Sequence, residues 1–118
     1  MRVKIIDAPG GNVAVVHSDS PVITDGQSAI EFALNVGERL IAVNKGAVSE
    51  DFFRLSTGVA GEVSQKFVNY GYRVAIIGDF SGYASEPLRD YIYECNNGGH
   101  LYFVDSEEAA LKKLVGRR

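Results

Sequence analysis

Three ionisable side chains in this chain, Lys45, Asp51 and Asp79, fall where chemistry could be done. Lys45 and Asp79 come just after short apolar runs, Leu40-Ile41-Ala42-Val43 and Val74-Ala75-Ile76-Ile77. Asp51 belongs to an acidic turn that opens at Ser49. Brought together in a dry pocket, a lysine and two carboxylates shift one another's proton affinity and can do acid/base work. Between them in sequence lies Ser56-Thr57-Gly58-Val59-Ala60-Gly61-Glu62. Small side chains at a helix start leave N–H groups open, so an anion or phosphate could sit there. The commoner use is plainer: Thr57 as a helix cap and Gly61 as a point of close helix packing. The order GxxxxGK[ST] is absent, so this is no Walker loop.

Other polar residues carry less. Asp79 reads more readily as a turn-former capping Ser81-Gly82. His17 could be a general base, but no GxSxG elbow supplies a nucleophile, and a histidine satisfied by backbone is expected. His100 follows two glycines and has less support. The single cysteine, Cys95, cannot form an internal disulfide, and no Cys/His pair suggests a metal. No metal and no cofactor is expected.

The elements that must position these residues follow from hydropathy. Val3 to Asp7 and Val13 to His17 read as strands joined through Pro9-Gly10-Gly11-Asn12, a hairpin turn. Asp25 caps a helix to about Val36 with Ile30, Ala33 and Leu34 on its apolar stripe, and Gly37 stops it. Leu40–Val43 is a third strand. Ser49 caps a short turn, and Ser56-Thr57-Gly58 opens a helix to Tyr70 with Val59, Val63 and Phe67 facing inward. Val74–Gly78 is a strand, Ser85 caps the next helix, and Leu101–Val104 is the last strand. Asp105 with Glu108 suggests a capping box for the final helix. This order, β-β-α-β-α-β-α-β-α, predicts an α/β fold: a five-stranded, mostly parallel sheet with an N-terminal antiparallel hairpin.

Composition narrows the class. The chain has 118 residues, 46% hydrophobic and 23% charged, with a formal net charge of -3. That fits a single domain over residues 1–115, followed by a short basic tail, 116–118. No basic field points to nucleic acid, and no apolar run is long enough for a membrane helix. The start leads straight into a strand without a signal peptide, and together with the lone cysteine this suits the cytoplasm. Six tyrosines in 118 residues are many, and some must be exposed; a homodimer is expected from them.

Ser49-Glu50-Asp51-Phe52-Phe53 and Thr57-Gly58-Val59-Ala60-Gly61-Glu62, with Gly78-Asp79-Phe80-Ser81 and Arg89-Asp90-Tyr91-Ile92, resemble the signature of a bacterial domain-of-unknown-function family, number four-one-eight-zero. The likeness spans nearly the whole chain. At the level of fold the order of elements is similar to STAS domains, the anti-sigma-factor-antagonist type. In those, a serine at the start of the second helix is phosphorylated by a partner kinase. Thr57 stands at that position, and Leu55 replaces the family's aspartate. The resemblance implies a non-enzymatic regulatory or binding module that presents Ser49–Glu62 to a protein partner or small anion. The alternative is a small enzyme using Lys45, Asp51 and Asp79.

Overall fold

The computed structural model describes residues 1–115; the basic tail, 116–118, lies outside the described residues. Five strands form one sheet: β1 (Arg2–Ile6), β2 (Val13–His17), β3 (Leu40–Asn44), β4 (Arg73–Ile77) and β5 (Leu101–Val104). Their spatial order is β1-β2-β3-β4-β5, with β1 antiparallel to β2 and the rest parallel. Each crossover therefore moves one strand in the same direction. Right-handed crossovers then place all three connecting helices on one face. Helices α1 (Gly26–Val36), α2 (Val59–Tyr70) and α3 (Glu86–Asn96) do share one core with Ala14, Val16, Ile41, Val43, Val74, Ile76, Leu101 and Phe103. The alternate residues, Val13, Leu40, Ala42, Ala75 and Tyr102, face the other way and are covered by α4 (Glu107–Val115) through Ala110 and Leu114.

Burial on both faces explains why the parallel strands read as unbroken apolar runs. The edge strand β1 is different: Val3 and Ile5 are each 48% exposed. Arg73 locks α4 to the sheet. Its guanidinium donates to the Lys113 and Leu114 carbonyls at 2.9 and 3.1 Å, and to the Tyr102 hydroxyl.

Three local expectations need correction. Leu34 is on the outer side of α1, whose buried stripe is Gly26, Ala29, Ile30, Phe32 and Ala33. Asp105 does not cap α4; the Ser106 hydroxyl accepts the Ala109 N–H at 3.1 Å, one residue later in the chain, and Asp105 stays exposed. Of Ser56-Thr57-Gly58, which were expected to open the second helix, Thr57 is not its cap. A 3-10 turn, Leu55–Thr57, comes first, and Gly58 caps α2 with φ 80°, a left-handed conformation that glycine adopts without a side-chain clash.

Asp25 caps α1 as expected, in a reciprocal box. Its carboxylate accepts the Ser28 N–H at 2.8 Å, and the Ser28 hydroxyl accepts the Asp25 N–H at 3.0 Å. The Ser28 N–H, helped by its hydroxyl, holds the Asp25 carboxyl below the ordinary carboxylate value. The folded state therefore favours the ionised form. That stabilisation is complete above the ordinary value and is lost as pH falls through the lowered one. Urea titrations should show Asp25→Asn less stable than wild type near neutrality, with the gap closing at a pH below about 4. A gap independent of pH would remove the charge from this cap.

Candidate functional site

Because β3 and β4 pair in parallel with Asn44 opposite Ile77, the next residues, Lys45 and Gly78, emerge side by side. The Lys45 stem lies directly on Gly78. A Cβ on Gly78 would stand 2.6 Å from the Lys45 Cβ and 3.0 Å from its Cδ, so glycine is needed for this approach. The stem carries the ammonium over two rings, 5.0 Å from the centroid of Tyr83 and 5.3 Å from that of Phe53. Those rings stack 5.0 Å apart at 16°. Phe53 and Phe80 in turn pack against Phe103, so the cluster stands on the core beneath α1–α3.

The charge on Lys45 is answered by Glu50, whose carboxylate lies 3.3 Å from the ammonium. The Tyr83 hydroxyl donates to the same carboxylate at 3.0 and 3.1 Å. Lys45, Glu50 and Tyr83 thus form a closed triad on an aromatic base, and the Lys45 side chain is only 28% exposed. A cation held over aromatic faces contributes about 0.5–2 kcal/mol, more as water is removed.

Asp51 is not in this triad. Its carboxylate pairs with Arg54 at 3.0 Å, and the Ser49 hydroxyl accepts its N–H at 3.2 Å. The reason is the type of turn. Glu50–Phe53 is a 3-10 helix, in which residues three apart eclipse one another. Phe53 must face the core, so Glu50 stands over it beside Lys45, while Asp51 points elsewhere. Glu50 and Tyr83 are the site residues that the sequence does not announce. Glu50 is one acid of the turn that opens at Ser49, and Tyr83 is one tyrosine among six; only its place in the loop after β4, near Asp79, is a signal.

The proton affinities describe a settled site. The neighbouring Tyr83 hydroxyl, with help from Glu50, raises the Lys45 ammonium above its ordinary value against the opposing effect of burial. Burial raises the Tyr83 phenol. The Ser81 hydroxyl and N–H, at 2.6 and 3.0 Å, lower the Asp79 carboxyl, and the charge of Lys45 adds to this. Near neutrality Lys45 is a cation, Tyr83 a neutral phenol and Asp79 an anion. General acid/base work calls for shifts in the opposite sense.

The remainder of Ser49–Glu62 serves the fold as well as the surface. The Thr57 hydroxyl lies 2.7 and 2.8 Å from the Asp51 and Arg54 carbonyls, to which it donates, and accepts the Val59 N–H at 3.2 Å. It is exposed, as are Ser56 and Gly58. Gly61 borders open space, so it is not a close-packing point. Glu62 leaves this region altogether. Its carboxylate accepts the Gly26 N–H at 3.0 Å and so places a negative charge on the positive end of α1.

Of the two histidines, His17 differs from the expected reading. His17 stands 3.1 Å from the Asp19 carboxylate rather than being satisfied by backbone. His100 is satisfied by backbone, its Nδ1 donating to the Tyr72 carbonyl at 2.9 Å. Asn44 clamps the ends of β2 and β3: it accepts the Ser18 N–H at 2.9 Å and donates to the Ser18 carbonyl at 2.8 Å. Ligands of open α/β sheets favour the crevice where the strand order reverses. The order β1-β2-β3-β4-β5 contains no reversal.

Among the described residues no group of three or more His, Cys, Asp or Glu side chains is placed to hold a metal, and no helix is long and apolar enough to cross a membrane. The fold and site together define a small α/β domain with an ordered, charged platform at the carboxyl end of its parallel strands. The chain belongs to the family described as domain of unknown function (DUF4180), whose model matches residues 9–114. No curated protein and no solved structure matches it.

Proposed function

We propose that this protein is a STAS-like, non-enzymatic regulatory module that presents the Ser49–Glu62 surface to a protein partner. The closed Lys45–Glu50–Tyr83 triad carries this reading. A catalytic lysine must be free to exchange its proton or attack a substrate, whereas Lys45 is pinned by a carboxylate and two rings. A binding platform benefits from that rigidity, because its side chains are ordered before the partner arrives. The small-anion variant has less support. Glu50 and Asp79 set negative charge beside the lysine, and the Thr57 hydroxyl already takes the Val59 N–H.

Thr57 is the proposed phospho-acceptor. Its hydroxyl is at the surface, two residues before the start of α2, where a phosphate of charge about −2 is tolerated and would change what a partner meets. Phosphate would also end the donation to Asp51 and Arg54. That donation can be measured separately. Thr57→Val should cost about 0.5–1.5 kcal/mol in urea unfolding, the net worth of an ordinary hydrogen bond. An unchanged stability would show that the turn does not depend on it.

The functional test compares pull-downs from host extract using wild type, Thr57→Val and Thr57→Glu. Wild type and Thr57→Val should recover the same partner and Thr57→Glu should lose it. If all three recover the same proteins, or none recovers any, the switch is wrong. Assembly as a homodimer belongs to the same proposal. Its support is Tyr93 at 72% exposure together with exposed Tyr70; the other four tyrosines are buried or half-buried. Sedimentation of wild type and Tyr93→Ser tests it: a monomeric wild type, or a dimer unaffected by the change, sinks the tyrosine interface.

A further inference from the structure

The antiparallel edge strand has a consequence for the opposite face of the sheet. β1 runs against the other strands, so its first residues arrive at the end where β2, β3 and β4 finish. Arg2 pairs with His17 and Lys4 with Val15, and Asn44 pairs with Ile77. Directly paired residues share a face. Val15 and Ile77 pack on the α4 side, so this register puts Arg2, Lys4, His17 and Asn44 there too. α4 starts at Glu107 and leaves this corner of the sheet uncovered. The result is a cavity of about 550 Å³ with Val15 and Ile77 in its floor and Arg2, Lys4 and His17 at its rim. Among the described residues that line it, Glu107 is the one carboxylate, and it lies 3.1 Å from the Lys4 ammonium.

We propose that this cavity binds a small organic anion, a carboxylate on an apolar body. The volume falls in the range of small-molecule sites, and the pattern of an apolar floor with a few convergent polar groups is theirs as well. The charges select the sign. Arg2 offers a fork of donors that fits a carboxylate with two hydrogen bonds. Lys4 stands beside it, held by Glu107, which occupies the place a ligand carboxylate would take. Asn44 has one amide N–H engaged by Ser18 and a second that can donate to the ligand. The apolar body lies over Val15 and Ile77, away from the triad of Lys45, Glu50 and Tyr83. This site is independent of the proposed partner surface, so either can fail alone.

The test uses 1-naphthoate as the anion and 1-naphthalenemethanol as its neutral counterpart, followed by amide chemical shifts of the whole chain. 1-Naphthoate should give saturable shifts confined to β1, the ends of β2–β4 and the start of α4, and should bind about tenfold more tightly than the alcohol, the worth of one charge-assisted hydrogen bond. Arg2→Gln should weaken it about tenfold by the same measure. Glu107→Gln should tighten it severalfold, because the competing carboxylate is gone and Lys4 is released. A gain of affinity cannot arise from misfolding. No saturable shift, equal affinity for acid and alcohol, shifts centred elsewhere, or weaker binding by Glu107→Gln would each overturn the proposal.

Discussion

Phe52→Ala should remove about 3–5 kcal/mol of folding stability. Phe52 is fully buried, and its ring meets those of Phe53, Phe103 and Tyr91 at centroid distances of 5.0, 5.9 and 6.4 Å. Truncation forfeits the transfer energy of the ring and leaves a void among neighbours that are themselves fixed. α2 and α3 are tied over this place: the Tyr91 hydroxyl bonds the Ser64 hydroxyl and donates to the Ala60 carbonyl. They cannot easily collapse into the gap. A domain of this size has about 5–15 kcal/mol in all, so the variant should be close to unfolding at moderate temperature. Guanidinium titration decides the matter. A loss under about 1 kcal/mol would mean that the core closes around the missing ring. The change also reaches the site, since Phe52 and Phe53 anchor the turn that carries Glu50.

Gly78→Ala should be the most disruptive small change at the surface triad. The added methyl would meet the root of the Lys45 side chain, at Cβ, and not its flexible tip. Either β3 and β4 separate locally or Lys45 leaves the two rings. Overpacking of this kind costs about 1–3 kcal/mol. The aromatic proton shifts of Tyr83 should move with it, because its ring loses the ammonium. A compensating change gives the stricter check. Lys45→Gly removes the atoms that clash, so the double variant should be more stable than the sum of the single losses requires. Strict additivity would show that the two residues do not touch in solution.

Much of the architecture was legible because parallel strands are covered on both faces. Val13–Val16, Leu40–Val43, Val74–Ile77 and Leu101–Val104 had to be continuous apolar runs, and each is a strand. What was not legible lay in turns. The short turn capped by Ser49 is legible and is the 3-10 turn Glu50–Phe53; the second 3-10 turn, Leu55–Thr57, which stands where α2 was expected to open, is not. That change of pitch puts Glu50 where Asp51 was expected and moves the helix cap from Thr57 to Gly58. Arg2 and Lys4 are obscure for another reason. They open a strand, and the first residues of an antiparallel neighbour occupy the same end of the sheet as the last residues of the parallel strands.

The order β1-β2-β3-β4-β5 also bears on how the chain assembles. Every strand joins the one made just before it, so no strand has to be inserted between two already in place. The sheet can grow along one direction in the order of synthesis, each step closing only the loop of a single connecting helix. Throughout that growth one face is gaining cover from α1, α2 and α3 in turn, while the other stays bare. α4 follows β5 in the chain and lies against β2, β3, β4 and β5 together, so its docking commits these four strands at once. Until then Ala42, Ala75 and Tyr102 are exposed to other chains, which makes the unfinished domain most vulnerable to misassociation just before α4 arrives.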